Sequence, residues 1–409
     1  MEVGPAPRVM AAHPGLEVRD LGDAIVAPGF VDAHCHLEWS LLGGLLPPAD
    51  FAVWLGRLLP MRALMAPADH LSAARRGALR ALAAGTTTVC DSGPVGAGAA
   101  AIREAGLRGL VHLEAFGREE GSAAREVAAA MAERTAALDA AVGPRGRVGV
   151  SPHAPYTVGP ALWAALREHP DLAPRPWTTH LAESAHEAPA IAGAGGALAD
   201  LFAAAGLTPG RWNGEDGAGA VARVAAGGGL SPGLVAAHCV HVGAEDLRLL
   251  AAYAVGVAHC PRSNAHLLCG RAPLAALRAA GASLGLGTDS PASGGDYDLR
   301  AEARACRDAH AGALALDAGA LLEMITRGGA RAIGLDHTVG SLAPGMRGDL
   351  VALAPGGPVA DPVAACLDPA ARVVEVVVDG EILLRDGAPT RVDPAEVERR
   401  ADEVRARLC

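Results

Sequence analysis

The stretch that decides the fold is Pro28-Gly29-Phe30-Val31-Asp32-Ala33-His34-Cys35-His36. Its apolar, β-branched start reads as a strand over 30–35. On a strand, residues i and i+2 point the same way, so His34 and His36 share a face at its C-terminal end. Two imidazoles at that spacing are a chelating pair for a borderline metal such as zinc, or equally two hydrogen-bonded core histidines. The stretch alone leaves both readings open.

Working outward, the same strand-then-helix pattern recurs. Short apolar runs over 86–91, 109–115, 148–152, 177–181, 235–238, 255–260 and 284–288 give seven further strands. Ala/Leu-rich helical stretches over 68–84, 119–137, 160–168, 247–253, 273–280 and 299–310 lie between them or follow. Pro160 suits a first helical turn, and Gly85 and Gly281 suit the position just past a helix end. Eight such units predict an α/β fold, a closed (β/α)8 TIM barrel whose reactive groups sit at the C-terminal strand ends. The long connection over 37–85 is expected to cap the barrel mouth. Segments 16–27, 373–378 and 381–384 also read as strands, the last two joined by the hairpin signal Asp379-Gly380. The chain therefore divides into 1–27 and 339–409, which together form a small β-sandwich domain, and a metal-dependent barrel over 28–338. The charged tail, 394–409, reads as a solvated surface helix.

Composition narrows the class. The 409 residues carry 35 Lys and Arg against 45 Asp and Glu, a formal charge of −10. That balance argues against nucleic acid, whose phosphates need clustered basic residues. Half the residues (51%) are hydrophobic but only 3% aromatic, so a large core must be packed from Ala, Leu and Val. No signal-like segment opens the chain. The longest charge-free run, 224–244, is broken by Gly227-Gly228-Gly229 and Ser231-Pro232, so no membrane helix is expected and the cytoplasm is the default location. The eight cysteines contain no C-x-x-C pair and read as small buried hydrophobes.

Other strand ends strengthen the metal reading. His180 ends the fifth strand, His238 the sixth and Asp289 the eighth. A buried Asp needs a cation or hydrogen bonds, and histidines facing it from three other strands supply the rest of a catalytic metal site. Glu183 lies just past His180, where a carboxylate can take a proton from a metal-bound water and pass it to a substrate nitrogen. Glu187, four residues on, reads as a solvated helix residue.

The run PGFVDAHCHLE (28–38), followed in order by THLAES, AHCVH, HCPRSN and GTDS, resembles the amidohydrolase superfamily, in particular its cytosine/nucleoside-deaminase and chlorohydrolase-like branch. The motif GSLAPGMRGDL (340–350) extends the resemblance beyond the barrel. It implies one divalent cation, zinc or iron, held by His34, His36, His180 and Asp289. His238 would stand at the metal's edge and Glu183 would shuttle the proton. Binuclear relatives place a bridging Lys or Glu on the fourth strand, and Val148-Gly149-Val150-Ser151-Pro152 offers neither.

The implied reaction is hydrolytic deamination of an aminated heterocycle. Within the branch, HCHLEWS, SPHAPY and CPRSN look like the aminodeoxyfutalosine deaminases of an alternative menaquinone pathway, whose substrate is an adenine nucleoside bearing a benzoate. Relatives acting on ordinary adenine nucleosides carry a ribose-gripping Glu in the insertion, but no Glu occurs here between Glu38 and Glu104. His153, in a position that contacts substrate in similar deaminases, and Glu38, beside the chelating pair, are candidate substrate contacts. Arg262, with Arg57 or Arg62, is a candidate clamp for a substrate carboxylate. The alternatives are deamination or dechlorination of guanine, an adenosine-type nucleoside, a pterin or a triazine. A non-catalytic, metal-free scaffold is the reading outside enzymes, opposed by the presence of all six site residues. The partner is a small-molecule substrate; a homodimer is common for such barrels.

Overall fold

The computed structural model describes residues 2–408. Eight parallel strands pair in chain order: β2 (Phe30–Cys35), β3 (Thr86–Gly93), β4 (Arg108–Ala115), β5 (Gly146–Pro152), β6 (Trp177–Leu181), β7 (Leu234–His238), β8 (Gly256–His259) and β9 (Ser283–Leu286). The sheet comes round on itself through a parallel bridge between Cys35 and Asp289. Six of these strands are buried at nearly every position, as expected where the barrel interior covers one face and helices the other. Gly85 and Gly281 follow helix ends with φ of +97° and +80°, a conformation glycine adopts without a Cβ penalty.

The insertion after β2 supplies the roof. Helix Phe51–Ala63 is capped by Asp50, whose side chain accepts the Ala52 N–H at 3.1 Å. Residues 51, 54, 55, 58, 59 and 62 recur at helical spacing and line a single cavity below. Trp54 pins the helix down by donating its indole N–H to the Ala292 carbonyl at 3.1 Å, just beyond the last barrel strand.

The two chain ends meet as expected, but as one layer. Strands β1 (Ile25–Pro28), β10 (Leu350–Ala354), β11 (Arg372–Val378), β12 (Glu381–Arg385) and β13 (Ala388–Pro389) form a single antiparallel sheet in that order, rather than two stacked sheets. Asp379 and Gly380, at φ of +56° and +81°, make the two-residue turn between β11 and β12. The expected strand over 16–27 shortens to four residues. Its partner β10 is five residues long and pairs no further than Ile25, which leaves Leu16 and Val18 exposed. Asp349 of the GSLAPGMRGDL motif ties this sheet to the barrel by accepting Arg108 through both oxygens, at 2.8 and 3.1 Å.

The C-terminal helix, Pro394–Leu408, is not merely solvated. It buries Ala401, Val404 and Leu408, and its charges bond barrel elements: Glu398 with Arg76, and Arg405 with the Leu41 carbonyl. Cys409 lies outside the described residues. No helix among those residues is long and apolar enough to cross a membrane.

Candidate active site and metal centre

His34 and His36 leave β2 beside Asp289, His180 and His238, which stand at or just past the ends of β9, β6 and β7. Asp289 and His238 sit at φ of +54° and +73°, as do the neighbouring Ala182 and Cys239 at +52° and +46°. Non-glycine residues hold this left-handed backbone only where surrounding structure over-determines it, and such strain gathers at functional sites.

Hydrogen bonds aim three of the candidate ligands, His36, His180 and Asp289. His36 donates its Nδ1–H to the Ser92 carbonyl at 2.8 Å, and His180 donates its own to the His153 carbonyl at 2.8 Å. Both Nε2 atoms are thereby turned inward, and they face each other at 3.0 Å. Burial, with His36 and His238 close by, pushes the His180 pKa down to about 3, so its Nε2 carries a lone pair. His34 is buried with neither ring nitrogen hydrogen-bonded. Asp289 accepts Ser263 and Ser293 hydroxyls at Oδ2, at 2.5 and 2.8 Å. That leaves Oδ1 to point at His36 and His34, 3.4 and 3.9 Å away. Burial would raise the Asp289 pKa, but the His36 and His238 imidazoles and the Ser263 hydroxyl outweigh it and hold the carboxyl below its ordinary value. Inward lone pairs, an orphaned imidazole and an anchored carboxylate are the donor chemistry of a divalent metal site, and partners that fix the far side of a ligand, as those of His36, His180 and Asp289 do, are typical of one.

Around this cluster stand the other sequence candidates. Glu183 is buried, with a carboxylate oxygen 3.6 Å from His238 Nε2. Burial, aided by the Asp289 charge, pushes its pKa well above the ordinary value, the environment expected of a proton-transferring carboxyl. His238 bonds Asn264 Oδ1 through Nδ1 at 3.0 Å, leaving Nε2 free towards the centre. His153 lines the cavity, hydrogen-bonded through Nδ1 to Thr157 at 2.9 Å and tilted against Phe116.

Three expectations are corrected. Glu38 does not reach the cavity: its carboxylate accepts the N–H groups of Gly96 and Ala97 at 2.7 and 2.8 Å and pairs with His70 at 3.0 Å. Arg262 turns instead to Asp296 at 2.8 Å and Glu302 at 3.6 Å. Glu187 is fully buried rather than solvated and accepts the backbone N–H groups of Ala182 and Glu183 at 2.9 and 3.2 Å, positioning the Glu183 segment. In each case a tertiary partner decides where the charge goes.

The structure adds residues that the sequence reading passed over. Glu114, near the end of β4, is buried 3.9 Å from His36 with Oε1 unbonded. Its i, i+2 partner His112 repeats the spacing of the first strand and was the available signal. The cavity, of about 250 Å³, runs from His36, His180, Glu183 and Asp289 to an apolar wall of Trp54, Leu58, Phe116 and Phe202. Arg62 and Arg118 are its basic lining residues. Arg62 stacks over Trp39 and Phe116, and Arg118 over Phe202.

The family model for the amidohydrolase family matches residues 25–383. The chain is an amidohydrolase. Over 420 aligned residues this amidohydrolase is 31% identical to a 5-methylthioadenosine/S-adenosylhomocysteine deaminase of Desulforudis audaxviator, covering 99% of this chain and 92% of the relative. An adenosine deaminase from Xanthomonas campestris with bound zinc superposes with a TM-score of 0.79 at 28% identity, over 94% of this chain and 86% of its own. The aminofutalosine deaminase of Helicobacter pylori, in complex with methylthio-coformycin, shares the fold at a TM-score of 0.80 and 20% identity, over 94% and 92% of the two chains. The amidohydrolase is a hydrolase acting on carbon–nitrogen bonds.

Proposed function

We propose that this amidohydrolase is a hydrolytic deaminase of an adenosine-like nucleoside with an apolar, carboxylate-bearing extension, and specifically of 6-amino-6-deoxyfutalosine, serving menaquinone biosynthesis. The observation that carries the reading is the layout of the cavity. It joins the His/Asp cluster and Glu183 at one end to aromatic walls and the Arg62 and Arg118 guanidiniums. A purine amine belongs at the first and a benzoate at the second. The relatives named for adenosine-like substrates support the base, and the absence of a Glu between Glu38 and Glu104 weighs against a plain ribose contact.

His34, His36, His180 and Asp289 would hold one divalent cation, zinc as in the Xanthomonas campestris neighbour. When bound, the cation supplies a water acidic enough to act as nucleophile near neutral pH. Glu183 accepts a proton from the attacking water and delivers it to the ring nitrogen beside the exocyclic amine. His238, its Nδ1–H fixed by Asn264, presents Nε2 to the attacking oxygen, while Asp289, anchored by Ser263 and Ser293, holds that oxygen on one face. Glu187 fixes the backbone that carries Glu183. His153, beside His180 in the cavity lining, would flank the base, and the apolar wall of Trp54 and Phe116 would keep bulk water out. The remaining proton on the attacking oxygen passes to the exocyclic amine, so carbon–nitrogen cleavage releases ammonia and leaves a keto-purine.

The test is ammonia release by metal-replete enzyme on aminodeoxyfutalosine, adenosine, S-adenosylhomocysteine, guanine and cytosine. Preference for the benzoate-bearing nucleoside is expected. Preference for adenosine or S-adenosylhomocysteine would overturn the substrate while keeping the class, and activity confined to guanine or cytosine would overturn the class.

A further inference from the structure

One cluster of metal-binding side chains lies outside the catalytic cavity. His259 ends β8. Cys306 and His310 lie on helix Leu299–His310, which follows the eighth barrel strand. At i and i+4 these two share one helical face. One ligand atom from each of the three residues falls within 4.8 Å of the others, and the two imidazole centroids are 5.6 Å apart. None of the three lines the catalytic cavity.

His259 Nδ1 meets the Asn264 side-chain amide nitrogen at 3.5 Å, and two nitrogens of the cluster have no partner in the protein. The Nε2 atoms of His259 and His310 are buried without a hydrogen-bond partner, and Cys306 is a fully buried free thiol. A buried imidazole nitrogen with no partner costs free energy, because it gives up its hydrogen bond to water and gains none in return. Two such nitrogens beside one thiol make a packing explanation weak. His310 closes its helix next to the exposed Ala311.

We infer that His259, Cys306 and His310 form a second metal site, separate from the catalytic centre, which takes one Zn2+ ion. Two imidazoles and a thiolate are the donors zinc prefers, with a fourth position left for water. On binding, the Cys306 S–H proton leaves to solvent and a zinc–thiolate bond replaces it. The ion joins the end of β8 to the helix after β9, two elements separated in the chain by helices Pro261–His266 and Leu274–Ala279 and by β9. It thus acts as a structural staple of the barrel's last two units.

The experiment uses the full-length protein stripped of metal, then titrated with Co2+ and separately with Zn2+, with bound metal counted by mass spectrometry. The catalytic cluster holds only nitrogen and oxygen donors, so a sulfur-to-cobalt charge-transfer band in the near ultraviolet reports the second site alone. Wild-type protein is expected to bind two equivalents and to show that band. Cys306→Ser is expected to bind one equivalent, lose the band and keep deaminase activity; His310→Gln is a second variant should the serine disturb folding. Added zinc is expected to raise the thermal midpoint of wild type above that of either variant when the catalytic site is already filled. Absence of the band at saturating cobalt, its persistence in Cys306→Ser, or retention of copper(I) but not zinc against a chelator would each overturn the assignment. Loss of the sulfur-free equivalent would instead count against the catalytic-centre reading.

Discussion

His36 and Asp289 are joined twice. The His36 backbone N–H donates to the Asp289 carbonyl at 2.9 Å, and the Asp289 Oδ1 lies 3.4 Å from His36 Nε2. The Asp289 N–H in turn bonds the His34 carbonyl at 3.0 Å. The seam where the last barrel strand meets the first is therefore also the place where the candidate ligands converge. Closing the barrel assembles the cluster, and misplacing Asp289 disturbs both.

Ser263 and Ser293 hold the Asp289 oxygen that faces away from the cluster. Removing the shorter of these bonds in Ser263→Ala frees the carboxylate to rotate. Metal affinity is expected to fall about 10–100-fold, measured by competition with a chelator, with the fold retained by circular dichroism.

In the proposed mechanism Glu183 moves a proton and is not among the residues that would hold the cation. Glu183→Gln keeps the shape of the side chain and the hydrogen bond from its backbone N–H to Glu187. Metal stoichiometry is expected to stay at wild-type level while kcat falls about 10²–10⁴-fold. Near-normal turnover would remove Glu183 from the mechanism.

The two arginines with competing claims on a substrate carboxylate separate cleanly. Arg62 lines the cavity and Arg262 is held by Asp296 and Glu302. Arg62→Met is expected to raise KM for the benzoate-bearing nucleoside about 10–100-fold, the loss of one charge-assisted hydrogen bond, with little change for adenosine. Arg262→Met is expected to leave that selectivity alone and instead lower the denaturation midpoint, because it strands the buried Glu302 carboxylate.

Acid is expected to act through His112, which is buried in β4 with Nδ1 on the Asp91 carbonyl. Burial lowers its pKa from 6.5 to about 4. As pH falls below 6.5 the unfolded chain takes up this proton before the folded one. The His112 contribution, fully present above pH 6.5, is therefore lost progressively towards pH 4, by about 3 kcal/mol in all. The stability difference between wild type and His112→Asn, measured by urea unfolding across this range, should narrow as pH falls.

The eight barrel strands were legible because each is a short apolar run bounded by turn residues and buried on both faces. The i, i+2 histidines and the strand-end His180, His238 and Asp289 were legible because strand geometry dictates where such side chains point. Local sequence thus determined the barrel, the turn at Asp379-Gly380 and the convergence of the candidate ligands. It did not determine the partners of the long charged side chains. Glu38 found the N–H groups of a loop 58 residues away, Arg262 found Asp296 and Glu302, and Glu187 folded back beneath Glu183. Arg62 became a cavity residue only because its helix lies across the barrel mouth. Nor could sequence pair His259 with Cys306 and His310, which are brought together from opposite sides of the last barrel strand. A backbone strand or turn is specified by neighbours a few residues apart. Where a flexible charged side chain or an isolated ligand ends up depends on which distant groups packing places within its reach, and that only the tertiary structure decided.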